Sequence, residues 1–68
     1  MTWMRVNGVE VEVAATTVAE LLVARGVDPA ARFLAVAVNG SVVRRGEWAS
    51  RELSPGDTVE IVRPLQGG

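Results

Sequence analysis

The sequence predicts an α+β fold in which one short amphipathic helix lies across the apolar face of a single curved sheet of four to five strands. Three observations lead there. Asn7-Gly8 and Asn39-Gly40 each separate two runs of alternating residues. Thr17 to Gly26 carries helix start and stop signals around an apolar stripe. A last alternating run, Thr58 to Arg63, leads into the final residues Pro64, Leu65, Gln66, Gly67 and Gly68.

Each element has its own local reason. Asn-Gly suits a type I′ turn because both central residues need positive φ. A two-residue loop then pairs Val6 with Val9, Met4 with Val11 and Thr2 with Val13 on an apolar face. It sets Arg5 against Glu10 and Trp3 against Glu12 on the other face. Thr17 is placed as an N-cap, with Glu20 three residues on completing a capping box. Val18, Leu21 and Leu22 form the apolar stripe, with Arg25 at its end. Gly26 suits the left-handed position after the helix, Val27 folds back on Leu22, and Asp28-Pro29 stops continuation. Such a helix of about two turns is stable only when packed. Leu34, Val36 and Val38 alternate with Ala35 and Ala37, and the second Asn-Gly loop sets Val38 against Ser41 and Val36 against Val43. Residues 45–54 are less regular, with Trp48 and Leu53 as anchors to the core. Ser54-Pro55-Gly56-Asp57 fits a type II turn. In the last strand Val59 and Ile61 share one face, Thr58, Glu60 and Val62 the other, and Pro64 ends the ladder.

The totals bound what the chain can do. At 68 residues it is one small domain, burying only about 60% of the surface its unfolded chain exposes. A single layer of core side chains with no deep cavity is expected. The chain is 49% hydrophobic with a net charge of −1, which argues against disorder and against a basic nucleic-acid footprint. It contains no Cys, His or Tyr. Disulfides, thiolate metal sites and a cysteine nucleophile are thereby excluded, and the commonest general base and metal ligand are missing. Carboxylates, arginines, hydroxyls and the chain terminus remain for chemistry. No apolar run is long enough to cross a membrane, and the N-terminus lacks a signal-peptide pattern. A soluble cytoplasmic protein that binds neither nucleic acid nor membrane is the expectation. The sheet face away from the helix should carry Trp3, Arg5, Glu10, Glu12, Ala35, Ala37, Glu60 and Val62. It reads either as an ordinary solvated surface or as a docking patch centred on Trp3, Ala35, Ala37 and Val62 with charges around it.

The order of motifs carries a resemblance. Thr17-Val18-Ala19-Glu20-Leu21-Leu22, then Ala35-Val36-Ala37-Val38-Asn39-Gly40, then Val43, Arg45 and Trp48, then Gly56-Asp57-Thr58-Val59-Glu60-Ile61 and the closing Gly67-Gly68 resemble the sulfur carrier proteins of thiamine (thiazole) biosynthesis. The resemblance covers essentially the whole chain. It implies the ubiquitin-like β-grasp fold, with the N-terminal strand central and parallel beside the last one. Residues 1–64 would form that domain and 65–68 a flexible C-terminal tail. It implies a protein that is not an enzyme and binds no cofactor of its own. Gly68 would be adenylated by an activating enzyme that uses ATP, converted to a thiocarboxylate with sulfur from a donor protein, and would pass that sulfur to thiazole synthase. Gly67, Gln66 and Leu65 are expected to guide the tail into its partners, with Trp3, Arg5, Ala35, Ala37 and Val62 as the possible partner face. Arg44, where many relatives have Pro, and Gly46 depart from the usual pattern.

The residues suit that chemistry. A carboxylate is a poor acyl donor until adenylation supplies a leaving group. Four or five extended residues after the last strand reach roughly 14–18 Å, and glycines without Cβ pass a narrow channel. Other readings stay open: a carrier for molybdopterin or tRNA thiolation, conjugation to other proteins, or a β-grasp interaction module in which Gly67 and Gly68 are dispensable.

Overall fold

A computed structural model describes residues 1–63. Alternation over Thr2–Val6 and Val9–Val13 becomes strands β1 and β2, paired in every register position expected, from Thr2↔Val13 to Val6↔Val9. Asn7 (φ 50°) and Gly8 (φ 83°) make the tight turn between them. Helix α1 spans Val18–Ala24, β3 Ala35–Val38, β4 Ser41–Val43 and β5 Thr58–Val62, with a 3-10 turn at Arg45–Glu47. The five strands lie in the order β2-β1-β5-β3-β4. β1 and β5 are parallel, and the other neighbours are antiparallel. β1 is internal as the resemblance implies, but the middle of the sheet belongs to β5.

The core lies between α1 and one sheet face. Val18, Leu21 and Leu22 of the helix meet Met4, Val6, Val36, Val38, Val43 and Val59 of the sheet, all buried. Complete burial of such side chains contributes about 1.5–3 kcal/mol each. The cover is uneven along β2: Val13 is 8% exposed, Val11 is partly buried, and Val9 at the turn is 59% exposed. The exposure belongs to the edge strand, since Val6 opposite Val9 is buried.

Both ends of α1 have their backbone groups satisfied. At the start, the N–H groups of Val18 and Ala19 donate to the carbonyls of Arg51 (3.0 Å) and Trp48 (2.9 Å), so residues 48–51 dock on the helix terminus. Glu20 N–H donates to Thr17 Oγ1 (3.2 Å), the expected cap. The return half of the capping box is shifted by one residue. Glu20 Oε1 accepts from the backbone N–H and the hydroxyl of Thr16, both at 2.8 Å. Thr17 can contribute only its backbone to that carboxylate, because its own hydroxyl faces the helix. At the other end, Gly26 (φ 75°) lets Val27 N–H reach the Leu22 carbonyl (2.8 Å) and Gly26 N–H that of Val23 (3.0 Å), a Schellman closure. The irregular connection is pinned as expected: Trp48 is buried, with its indole N–H on the Val43 carbonyl (2.8 Å), and Leu53 packs against the core.

The two Asn-Gly turns do more than reverse the chain. Asn7 Nδ2 donates to the Ile61 carbonyl (3.2 Å), and Ile61 N–H donates to Asn7 Oδ1 (2.7 Å). Asn39 Oδ1 accepts from Thr58 N–H (2.9 Å), while its Nδ2 donates to Asp57 Oδ1 (3.0 Å). Asp57 Oδ2 in turn accepts from Ser54 N–H (2.8 Å), bracing the type II turn. One side chain thus latches β5 from each side.

Asn7→Gly keeps the positive φ available and removes the latch. It is expected to lower the unfolding free energy by about 1–2 kcal/mol, read from urea unfolding. The Thr16 bonds hold the Glu20 carboxyl below its ordinary 4.5. A pKa lowered on folding adds stability that is fully present above the unfolded value and is lost as pH falls through the folded one. Glu20→Gln should therefore lower the melting temperature at pH 7, and the gap from wild type should close in acid below pH 4.5.

Candidate functional site

Pleating sends every second residue of each strand to the open face, and the registers place those residues in rows. Glu12 and Trp3 share one row, next to Gly56, whose N–H donates to the Trp3 carbonyl (2.8 Å). Glu10, Arg5 and Thr58 form the second row. Glu60, Ala37 and Val42 form the third, and Val62 and Ala35 the fourth. Every expected face residue is on the open face, but the rows separate them. Trp3 stands level with Gly56 and Val62 lies six residues further along the same chain, roughly 20 Å away. The single patch centred on Trp3, Ala35, Ala37 and Val62 is thus two surfaces, because alternation assigns a face but not a height along it.

The first surface, over β2 and β1, is charged. Arg5 and Glu10 approach to 3.6 Å with both side chains largely in solvent, a pairing worth less than about 1 kcal/mol. Trp3, 57% exposed, borders a shallow depression with Arg5, Glu10, Pro55 and Gly56. The second surface, over β5, β3 and β4, is mainly apolar. Ala35 and Ala37 make a low floor, with Val62 (59% exposed) on one side and Val42 (77% exposed) on the other. Val42 was not singled out from the sequence, although the inward position of Val43 sends it to the open face. Glu60 is the carboxylate in this half. Arg44 follows Val43, Arg63 follows Val62, and Arg32 stands two positions before Leu34, all three exposed. Arg44 has φ −66° and ψ 145°, the backbone a proline would adopt, so the departure from Pro leaves the local path unchanged.

Phe33 is the second residue that sequence reasoning missed. It is 79% exposed, and its φ is 61°. It precedes the alternating run and so falls outside every periodic pattern.

Among the described residues no three His, Cys, Asp or Glu side chains come together as a metal site, and no buried side-chain polar atom lacks a partner. No helix among them is long and apolar enough to cross a membrane. The described body offers surfaces for binding. Leu65, Gln66, Gly67 and Gly68, the expected docking and modified residues, lie outside the described residues, as does Pro64. β5 hands the chain to them at the Val62 end of the apolar surface.

A five-stranded mixed sheet with parallel β1 and β5, one helix across it and an open face beside the outgoing strand defines a ubiquitin-like β-grasp protein. The sequence model described as the ThiS family matches residues 4–68, and the chain belongs to that family. This bears out the resemblance to the ubiquitin-like sulfur carriers of thiamine biosynthesis. A crystal structure of the thiamine biosynthesis protein (ThiS) from Geobacter metallireducens is similar, with a TM-score of 0.80 at 31% identity, covering 98% of this chain and 100% of that one. A solution NMR structure of a thiamine biosynthesis protein from the same organism gives a TM-score of 0.79 at 31% identity, covering 98% of this chain and 88% of that one. No curated protein matches the chain.

If the apolar half of the open face is free surface, Val62→Ser should change the unfolding free energy by less than about 0.5 kcal/mol. Val59→Ala, three residues earlier and facing the core, should cost about 2 kcal/mol. Parallel urea titrations of the two variants compare them directly.

Proposed function

We propose that this protein is the sulfur carrier of thiazole formation in thiamine biosynthesis, with Gly68 as the residue that is modified. The observation that carries the reading is the family match running from residue 4 through Gly68, on a body whose middle strand is the last described element before the closing glycines in sequence. The carrier is a co-substrate, and its partners supply the catalytic groups.

A terminal carboxylate oxygen attacks the α-phosphate of ATP in an activating enzyme. The phosphoanhydride bond breaks, pyrophosphate leaves, and an acyl-adenylate forms. A sulfide-level sulfur supplied through a donor protein then attacks the acyl carbon. The C–O bond to AMP breaks, AMP departs with the electron pair, and a thiocarboxylate remains. At thiazole synthase an oxygen from water or from the ring precursor replaces the sulfur on the acyl carbon: the C–S bond breaks, the sulfur leaves with its electron pair for the ring, and the carboxylate is restored. ATP belongs to the activating enzyme throughout.

The body's part is to be held. Val62, Ala35 and Ala37 form the surface nearest the outgoing chain, and Trp3 and Arg5 extend the contact towards the far rows. Leu65, Gln66 and Gly67 thread the terminus into each partner, glycine because it lacks a Cβ that would fill a narrow passage. A cytoplasmic location beside ATP and the partner enzymes belongs to the same reading.

Intact-mass spectrometry after incubation with the cognate activating enzyme, ATP and a sulfur source tests the reading. The expected result is a mass gain equal to one oxygen replaced by sulfur, located at Gly68 by fragmentation. Deleting Gly68 should abolish adenylation while leaving the melting temperature unchanged. No terminal modification of the wild type by an active partner would overturn the assignment in favour of an interaction module. Thiamine auxotrophy on gene deletion separates the thiazole pathway from molybdopterin or tRNA clients.

A further inference from the structure

We propose that Phe33 is an anchor by which the adenylating enzyme grips this protein, and that Arg45 is the residue that positions it. The inference rests on the carrier reading above and adds a contact that reading does not contain.

Phe33 is the chain's one phenylalanine, and its ring is 79% exposed. A lone exposed apolar side chain is ordinary on a soluble protein. Its backbone is not ordinary: a bulky residue at φ 61° is an outlier that the surroundings must hold in place. Those surroundings can be named. On one side the guanidinium of Arg45 donates to the carbonyls of Pro29 and Ala31, the latter at 2.6 Å. The same guanidinium lies 4.7 Å above the Trp48 ring, and Trp48 is itself buried and bonded to Val43. Asp28 closes the loop further, accepting from Ala30 N–H through Oδ1 and from Ala31 N–H through its carbonyl, both at 2.9 Å. On the other side Leu34 is sunk in the core. Phe33 is therefore suspended between two fixed points, its ring outward. A backbone fixed before binding loses less freedom when its side chain is captured, and aromatic rings are enriched among residues that dominate interfaces.

Its place selects the occupant. Ala35, two residues on, pairs with Val62, the last residue of β5. Five residues separate Val62 and Arg63 from the end of the chain, and they span at most about 18 Å. A protein that closes on the Gly68 carboxylate must therefore come against the Val62 end of the sheet, where Phe33 stands. Exposed Arg32, Arg44 and Arg63 border this end. The fitting counterpart is an apolar pocket rimmed by carboxylates on the activating enzyme.

Steady-state adenylation by the cognate enzyme, followed by pyrophosphate release with the carrier as varied substrate, tests this. Phe33→Ala should raise KM about tenfold and leave kcat within about twofold, the pattern of lost binding that is equal in ground and transition states. Phe33→Gly should raise KM equally while its melting temperature stays level or rises, because glycine takes positive φ without strain. Arg45→Ala should raise KM in the wild-type background and add little in the Phe33→Ala background, as expected for a residue acting through the ring. Unchanged KM in Phe33→Ala, with wild type adenylated normally, would overturn the anchor and leave the carrier reading standing. An Arg45→Ala effect of the same size in both backgrounds would overturn the positioning role. Failure of the wild type to be adenylated would remove both.

Discussion

The structure depends on β5 being held between β1 and β3. Its parallel ladder with β1 is short, with Arg5↔Thr58 and Val6↔Val59 as its pairs, because the chain turns away at Asn7 to make the hairpin. The Asn7 side chain then does what a continuing strand would have done. Its amide offers one acceptor and one donor to the N–H and C=O of Ile61, carrying the ladder two residues further. Asn39 gives the same service at the opposite end of β5, bonding Thr58 and the Asp57 carboxylate. Asparagine is suited to both duties at once: it tolerates positive φ, and its side-chain amide copies a peptide group. Glycine would make the turn without the latch, and aspartate would supply the acceptor without the donor.

Fixing β5 in the middle has consequences at both ends of the sheet. The helix covers one face, so the apolar residues of β5 divide by parity: Val59 is completely buried, whereas Val62 faces outward. Because β3 runs antiparallel to β5, its start, Ala35, lies beside the exit of β5. The loop entering β3 is consequently carried to the same place, and Arg45 and Trp48 hold that loop from the far side of β4. Three segments distant in sequence converge where the chain leaves the body.

Local structure was legible in the residues wherever it is decided locally. Both hairpin registers, the Thr17 cap, the Gly26 closure and the Pro55-Gly56 turn depend on neighbours a few positions apart, and all were readable. The middle position of β5 was not, because a parallel pairing of residues more than fifty positions apart leaves no short-range periodicity. The same reason misjoined Trp3 to Val62: pleating predicts which face a side chain takes, and only strand order predicts which row. Asn7 and Asn39 were readable as turn formers, but their bonds to β5 require knowing what lies alongside. Glu20 reaching Thr16 in place of Thr17 is a difference of one residue that capping patterns do not resolve. Phe33 escaped because it belongs to no repeat. The closing glycines were legible as sequence and lie outside the described residues.

The proposed chemistry at Gly68 suits what a rigid body this small can present. Glu10, Glu12 and Glu60 are carboxylates too, and each could in principle be adenylated. They stand on a sheet whose strands are about 4.8 Å apart, so a neighbouring strand lies within a side chain's length of each. An enzyme that encloses an acyl group and excludes water around it cannot close on such a carboxylate without meeting the sheet. Gly68 lies six residues past the end of β5 in sequence, and a carboxylate there need not lie on the sheet. The flat apolar surface beside the exit and the closed active site can then contact different parts of the same chain. On the proposed carrier reading, holding the protein and reacting with it would be separate tasks, and one small body would serve both an activating enzyme and thiazole synthase.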